Sequence, residues 1–152
     1  MSQKNKNLLL YILMCLFVIG ILYVFLKLDY NKRNESLKNS YIKSYLSEIK
    51  YDDLKEALVE IPDLVIYISN SGDEESRKYE KIFSKVIKKY NLENQIIFIN
   101  INNLSIDNPL FSKAPVLLFY KNSEVSDVVD CTLFKNQKSI VKALKERGII
   151  ND

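Results

Sequence analysis

The chain has 152 residues, roughly one domain's worth. It has no histidine, which excludes Ser-His-Asp and Cys-His catalysis and every imidazole-liganded zinc site, and its two cysteines cannot build a cysteine-only zinc site or a disulfide framework. The net charge of +3 comes from Lys4, Lys6 and Lys27, since residues 1–28 hold no acid and the rest of the chain balances 19 basic against 19 acidic residues. That balance gives no basic bias for nucleic acid, so none is expected as a partner.

Residues 1–7 form a short basic tail. Leu8 to Leu26 is a run of 19 uncharged residues. As a helix it spans about 28 Å, one hydrocarbon core. A transmembrane anchor is therefore expected over residues 8–28, with Tyr11 and Tyr23 toward its two interfaces. The run is too long for a signal-peptide core and no small-x-small cleavage site follows it. Met14 before Cys15 does not fit a lipoprotein signal. The short basic tail places the N-terminus inside, so the expected topology is a single-pass cell-membrane protein with its domain extracellular. Residues 29–46 read as a polar stalk. Tyr41, Ile42, Tyr45, Leu46 and Ile49 lie at helical spacing within and just beyond it.

Residues 47–152 alternate between helix and strand patterns. A faint strand is expected near Glu48–Lys50. Leu54, Ala57, Leu58 and Ile61 predict a short helix that stops at Pro62. Leu64–Ile68 is a buried strand by its continuous apolar run. Ser71-Gly-Asp-Glu74 fits a capping box, with Ser71 as the cap. Tyr79, Ile82, Phe83, Val86, Ile87 and Tyr90 then predict a long amphipathic helix. Arg77, Lys78, Lys81, Lys85, Lys88 and Lys89 form its polar face, either simply solvated or in contact with anionic lipid headgroups or an acidic partner. Gln95–Ile101 is a second buried strand, and residues 102–114 are a connection with one helical turn. Val116–Tyr120, a turn over Lys121–Glu124, and Val125–Val129 predict a hairpin. Asn136 to Arg147 is a closing helix that stops at Gly148. Helices between the first strands imply parallel pairing; the tight turn implies an antiparallel last pair. The fold class is α/β: a three-layer sandwich with a mixed central sheet and helices on both faces.

This order and the phrase Lys113-Ala-Pro-Val-Leu-Leu-Phe-Tyr-Lys-Asn-Ser-Glu124 resemble thioredoxin. The resemblance implies that Pro115 is a cis-proline opening the strand beside the active-site loop. Tyr67-Ile-Ser-Asn-Ser-Gly-Asp-Glu-Glu-Ser-Arg-Lys-Tyr79 is similar to the active-site stretch of small Gram-positive thioredoxin-like proteins described as bacteriocin-transport accessory proteins. On that alignment Asp73 and Ser76 occupy the two cysteine positions of the CxxC motif; shifted by two residues, Ser71 and Glu74 do. Neither supplies a cysteine, so the resemblance implies a vestigial active-site loop of Ser71, Gly72, Asp73, Glu74, Glu75 and Ser76.

Thiol–disulfide exchange needs a thiolate favoured by a helix N-terminus. Here Asp73, Glu74 and Glu75 satisfy the helix dipole and would repel one. They lack the spaced oxygen ligands of a calcium loop, so no metal is expected, and no cofactor. Cys131 follows Asp127 and Asp130, whose charge disfavours a thiolate. It reads as an unpaired small residue, since Cys15 lies in the membrane segment. No catalytic residue is expected. The expected function is a redox-inactive accessory or binding protein at the bacterial cell surface, linked by resemblance to bacteriocin or peptide export. Its membrane contact is residues 8–28, and its protein or peptide partner lies in the groove between Ser71–Ser76 and Pro115. The alternatives are a membrane-anchored oxidoreductase using Cys131 or a partner's thiol, and a structural subunit of a membrane complex.

Overall fold

A computed structural model describes residues 3–38, 40–102, 104, 109 and 111–151, with side chains from residue 12 to 31 and from residue 40 onward. It divides into two compact units, Met1–Ser36 and Leu37–Asp152.

The first unit belongs to one helix, α1 (Gln3–Lys38), 36 residues long, whose last two residues fall in the second unit. Its segment Ile12–Asn31 is long and apolar enough to cross a membrane, and none of it is buried in protein. The helix runs on through the polar residues 29–38. Nothing between Ile21 and Lys38 breaks it: there is no proline or glycine.

The second unit holds a five-stranded sheet of order β1-β3-β2-β4-β5. Its strands are β1 (Ser47–Glu48), β2 (Val65–Ser69), β3 (Ile96–Asn100), β4 (Val116–Lys121) and β5 (Glu124–Asp130). The helices are α2 (Leu54–Glu60), α3 (Glu74–Tyr90) and α4 (Gln137–Lys145). β3 pairs in parallel with β1 and β2, while β4 runs antiparallel to β2 and β5. The consecutive parallel pair β2–β3 is joined through α3, the crossover a parallel pair requires, whereas β4 and β5 are joined by a tight turn. Strand pleating sorts the core. Val65 and Tyr67 of β2 pack with Phe83 of α3 and Leu144 of α4. Ile66 and Ile68 pack on the other face with Leu54 of α2 and Phe111. The three-layer α/β sandwich expected from the sequence is present.

Local chemistry sets the element ends. Asn91 stops α3 in the left-handed conformation at φ 52°. Asn122 (φ 52°) and Ser123 (φ 64°) make the tight β4–β5 turn, whose twist needs positive φ at both central residues. Gly148 follows α4 at φ 72°.

Three expectations change. The stripe over residues 41–49 is not one helix. Only Tyr41–Ser44 forms a 3₁₀ turn, and Ser47–Glu48 pairs with β3 instead. Second, Ile42 and Leu46, read as stalk, are core residues of the packed unit. The reason is a buried carboxylate. Glu80 of α3 accepts hydrogen bonds from the Ser40 hydroxyl (2.8 Å), the Tyr41 N–H (2.7 Å) and the Ser69 hydroxyl (2.6 Å). These bonds hold the start of the unit against α3 and β2. Third, the first strand lies at Ser47–Glu48, slightly before the expected Glu48–Lys50. In the connection over 102–114, Phe111–Lys113 forms a 3₁₀ turn; residues 103, 105–108 and 110 lie outside the described residues.

Candidate functional site

The site lies where β2 ends and α3 begins. Asn70 starts the turn: its carbonyl accepts from Asp73 N–H (2.9 Å) and its side chain from Gly72 N–H (3.0 Å). Asn100, ending β3, ties the loop down. Its side chain accepts from Ser71 N–H (3.3 Å) and donates to the Ser71 hydroxyl (3.2 Å). Gly72 fills a tight place, because a Cβ there would stand 2.9 Å from Asn102 Oδ1.

Asp73, not Ser71, caps α3. Its carboxylate accepts from Ser76 N–H at 2.8 Å. This corrects the expected capping box: Ser71 is already engaged with Asn100, and the helix starts two residues later. Glu74 pairs instead with exposed Lys78 at 2.7 Å. The Lys78 ammonium holds the Glu74 carboxyl below its usual range and is itself raised. Glu75 is exposed, and Ser71 and Ser76 are buried. Ser76 Oγ has no hydrogen-bond partner among the described residues.

Pro115 stands across from this loop. The Ala114–Pro115 bond is cis, as the resemblance implied. Ile68 pairs with Val116, so Pro115 lies one step further along, beside the end of β2. The structure therefore brings Pro115 to the start of the Asn70–Ser76 loop.

It also brings Cys131. Its N–H donates to the Pro115 carbonyl at 3.0 Å. The residue is 0% exposed, and its thiol donates to the Val129 carbonyl at 3.7 Å. Burial pushes the Cys131 thiol well up; the Tyr79 hydroxyl opposes that, and the Asp130 charge adds to it. The expected direction holds, but the main cause is burial. Asp127 is occupied elsewhere, 2.6 Å from Arg147 Nε.

Beneath the loop lies a polar cluster that sequence reasoning missed. Tyr67 of β2 and Tyr79 of α3 lie 5.6 Å apart between ring centroids. Burial raises both hydroxyls well above the ordinary tyrosine value, and the Glu80 charge adds to the rise at Tyr67. The signal was present: Ser69 closes an apolar strand, and Glu80 stands among the core positions of α3. A cavity of about 310 Å³ opens beside this cluster, lined by Glu75, Lys78, Tyr79, Ile82, Cys131 and Phe134 among others. Among the described residues, no three His, Cys, Asp or Glu side chains gather into a metal-holding group.

No protein-family model matches this sequence, and no curated protein does. Solved structures do. Thioredoxin f2 of Chlamydomonas reinhardtii is 12% identical, with 70% of this chain and 99% of that chain covered at a TM-score of 0.51. Oxidised mitochondrial thioredoxin 3 of Saccharomyces cerevisiae is 12% identical over 68% of this chain and 96% of its own, at a TM-score of 0.46. Thioredoxin O2 of Arabidopsis thaliana, oxidised, is 14% identical over 70% and 97%, at 0.43. Likeness at this identity speaks to architecture and not to activity. The first of these matches, with the sheet order above, gives the chain a thioredoxin-like fold behind an apolar N-terminal helix.

Proposed function

We propose that the chain is a single-pass membrane protein whose thioredoxin-like domain is a redox-inactive accessory or binding module on the outer side of a bacterial cell membrane. The observation that carries this reading is Asp73. A carboxylate bonded to Ser76 N–H occupies the helix N-terminus, where exchange chemistry requires a thiolate. The sequence resemblance to bacteriocin-transport accessory proteins adds a role in peptide export. An extended peptide held beside Pro115 and the Asn70–Ser76 loop is the partner this reading favours.

The rival reading is an oxidoreductase that uses Cys131. One observation favours it: Cys131 bonds to Pro115 and so stands at the site. Against it stands the burial of the sulfur, which exposes no surface to a disulfide substrate. Insulin reduction by the full chain in detergent micelles decides between them. The accessory reading expects the buffer rate. Turnover above buffer that disappears in Cys131→Ala establishes the rival.

A further inference from the structure

The neutral head is electrically polarised by its sheet. α3 and α4 cover one face, and α2 covers the other. The segment around α2 carries Asp52, Asp53, Glu56, Glu60 and Asp63 against Lys50 and Lys55. The outer surfaces of α3 and α4 carry lysines. The α2 side is thus net acidic, while the outer α3–α4 side carries a run of lysines beyond the exposed Glu74 and Glu75 at the start of α3, and opposite charges kept apart orient a domain in a field.

The basic face is also shaped. A groove of about 920 Å³ runs between the end of α3 and α4. Tyr90 and Val141 contribute apolar surface, and Lys89, Lys138, Lys142 and Lys145 contribute four ammonium groups. Glu146 supplies one opposing carboxylate, 3.8 Å from the Lys142 ammonium. The Lys89 ammonium lies over the Tyr90 ring, 5.2 Å from its centroid. Lys81, Lys85 and Lys88 extend the positive charge along the exposed side of α3.

We infer that this α3–α4 groove docks the domain on a membrane surface by taking the phosphodiester headgroup of an anionic phospholipid. Lysines around a partly apolar floor match an anionic headgroup with the first carbons of its chains: the stems cover apolar surface while the ammonium groups reach phosphate. A lipid surface is favoured over an acidic protein by the apolar helix α1. As an anchor, α1 holds the domain at high local concentration beside lipid. The acidic α2 face would then point away from the anionic surface. This inference rests on the membrane reading of α1, and its test separates the two.

The full chain is reconstituted in lipid nanodiscs of two kinds: zwitterionic phosphatidylcholine alone, and an equal mixture with anionic phosphatidylglycerol. Co-elution with the neutral discs reads the anchor. Acylation of lysines, mapped by mass spectrometry, reads the groove, with Lys55 on the α2 side as internal reference. Each lysine near an anionic surface strengthens attachment about fivefold. Labelling of Lys89, Lys138 and Lys142 is therefore expected to fall several-fold in the anionic discs and to recover at high salt. Lys138→Glu with Lys142→Glu should abolish the protection of Lys89. Equal labelling in both discs overturns the inference, as does protection produced only by added polyglutamate, which assigns the groove to an acidic protein. Binding to anionic discs alone supports the groove and overturns the anchor. Binding to neither overturns both.

Discussion

The backbone N–H of Cys131 donates to the carbonyl of Pro115 at 3.0 Å, so the one cysteine of the folded unit is held at the start of β4, beside the Asn70–Ser76 loop. Position alone would make it a nucleophile. Its surroundings do the opposite, because burial raises the thiol, which is 0% exposed and donates to the Val129 carbonyl at 3.7 Å. Maleimide labelling of the native full chain at neutral pH should therefore leave Cys131 unmodified over times that label it fully in urea. Complete native labelling would remove the physical basis for calling it inert.

The same burial gives an alkaline signature. The unfolded chain releases thiol protons near pH 8.5 and tyrosine protons near pH 10, values typical of free side chains. In the folded unit Cys131, Tyr67 and Tyr79 are all raised. Above pH 8.5 the unfolded state then binds fewer protons than the native state, so stability falls as pH rises. It is fully present below that point. Urea midpoints measured from pH 7 to 10.5 should decline on the alkaline side, and Cys131→Ala should flatten the part of the decline that begins near pH 8.5. A midpoint that rises with pH would contradict the assignment.

Glu80 offers a sharper test of packing. Its carboxylate is 0% exposed and receives three hydrogen bonds, two of them from Ser40 and Tyr41. Glu80→Ala leaves the buried Ser40 and Ser69 hydroxyls and the part-buried Tyr41 N–H without this acceptor and should cost about 3 kcal/mol. Glu80→Gln keeps the volume and one acceptor oxygen, and should cost about 1–2 kcal/mol. Proteolysis adds a positional readout: Glu80→Ala should become cleavable near Tyr41–Lys43 before the rest of the domain. Loss of stability without early cleavage there would show that the carboxylate does not hold this segment.

Most of the architecture was legible because it follows local periodicity. The apolar runs at 64–68 and 116–120 and the stripe of α3 announce themselves at spacings of one strand face or one helix turn. Asn122 and Ser123 mark their own turn. What was not legible depends on contacts distant in sequence. Ser40 and Glu80 are forty residues apart, and their bond fixes the segment whose Ile42 enters the core. Asn100 engages Ser71 across 29 positions, which moves the helix cap to Asp73. The polarised charge was hidden for the same reason: net charge sums over the chain, whereas the sheet sorts it by face.

The proposed loss of an exchange site at the Asn70–Ser76 loop can be tested by supplying a cysteine pair there. Asp73 and Ser76 span the first turn of α3, joined by the 2.8 Å bond from Ser76 N–H to the Asp73 carboxylate. Residues at the cap and three positions later lie close enough for side chains to meet across that turn. Asp73→Cys with Ser76→Cys would place a thiol at the positive end of the helix, next to Pro115, without moving the backbone. Removing the Asp73 cap should cost about 1 kcal/mol. Glu74 and Glu75 remain as negative neighbours and should hold the new thiol's acidity below what the helix end alone would give. The double variant is therefore expected to form an intramolecular disulfide and to reduce insulin above the parent's rate, and adding Glu75→Gln should increase that rate. If the double variant folds with its melting temperature within a few degrees of the parent and still forms no disulfide, the loop is not laid out for exchange chemistry, and the alignment of Asp73 and Ser76 with a cysteine pair fails.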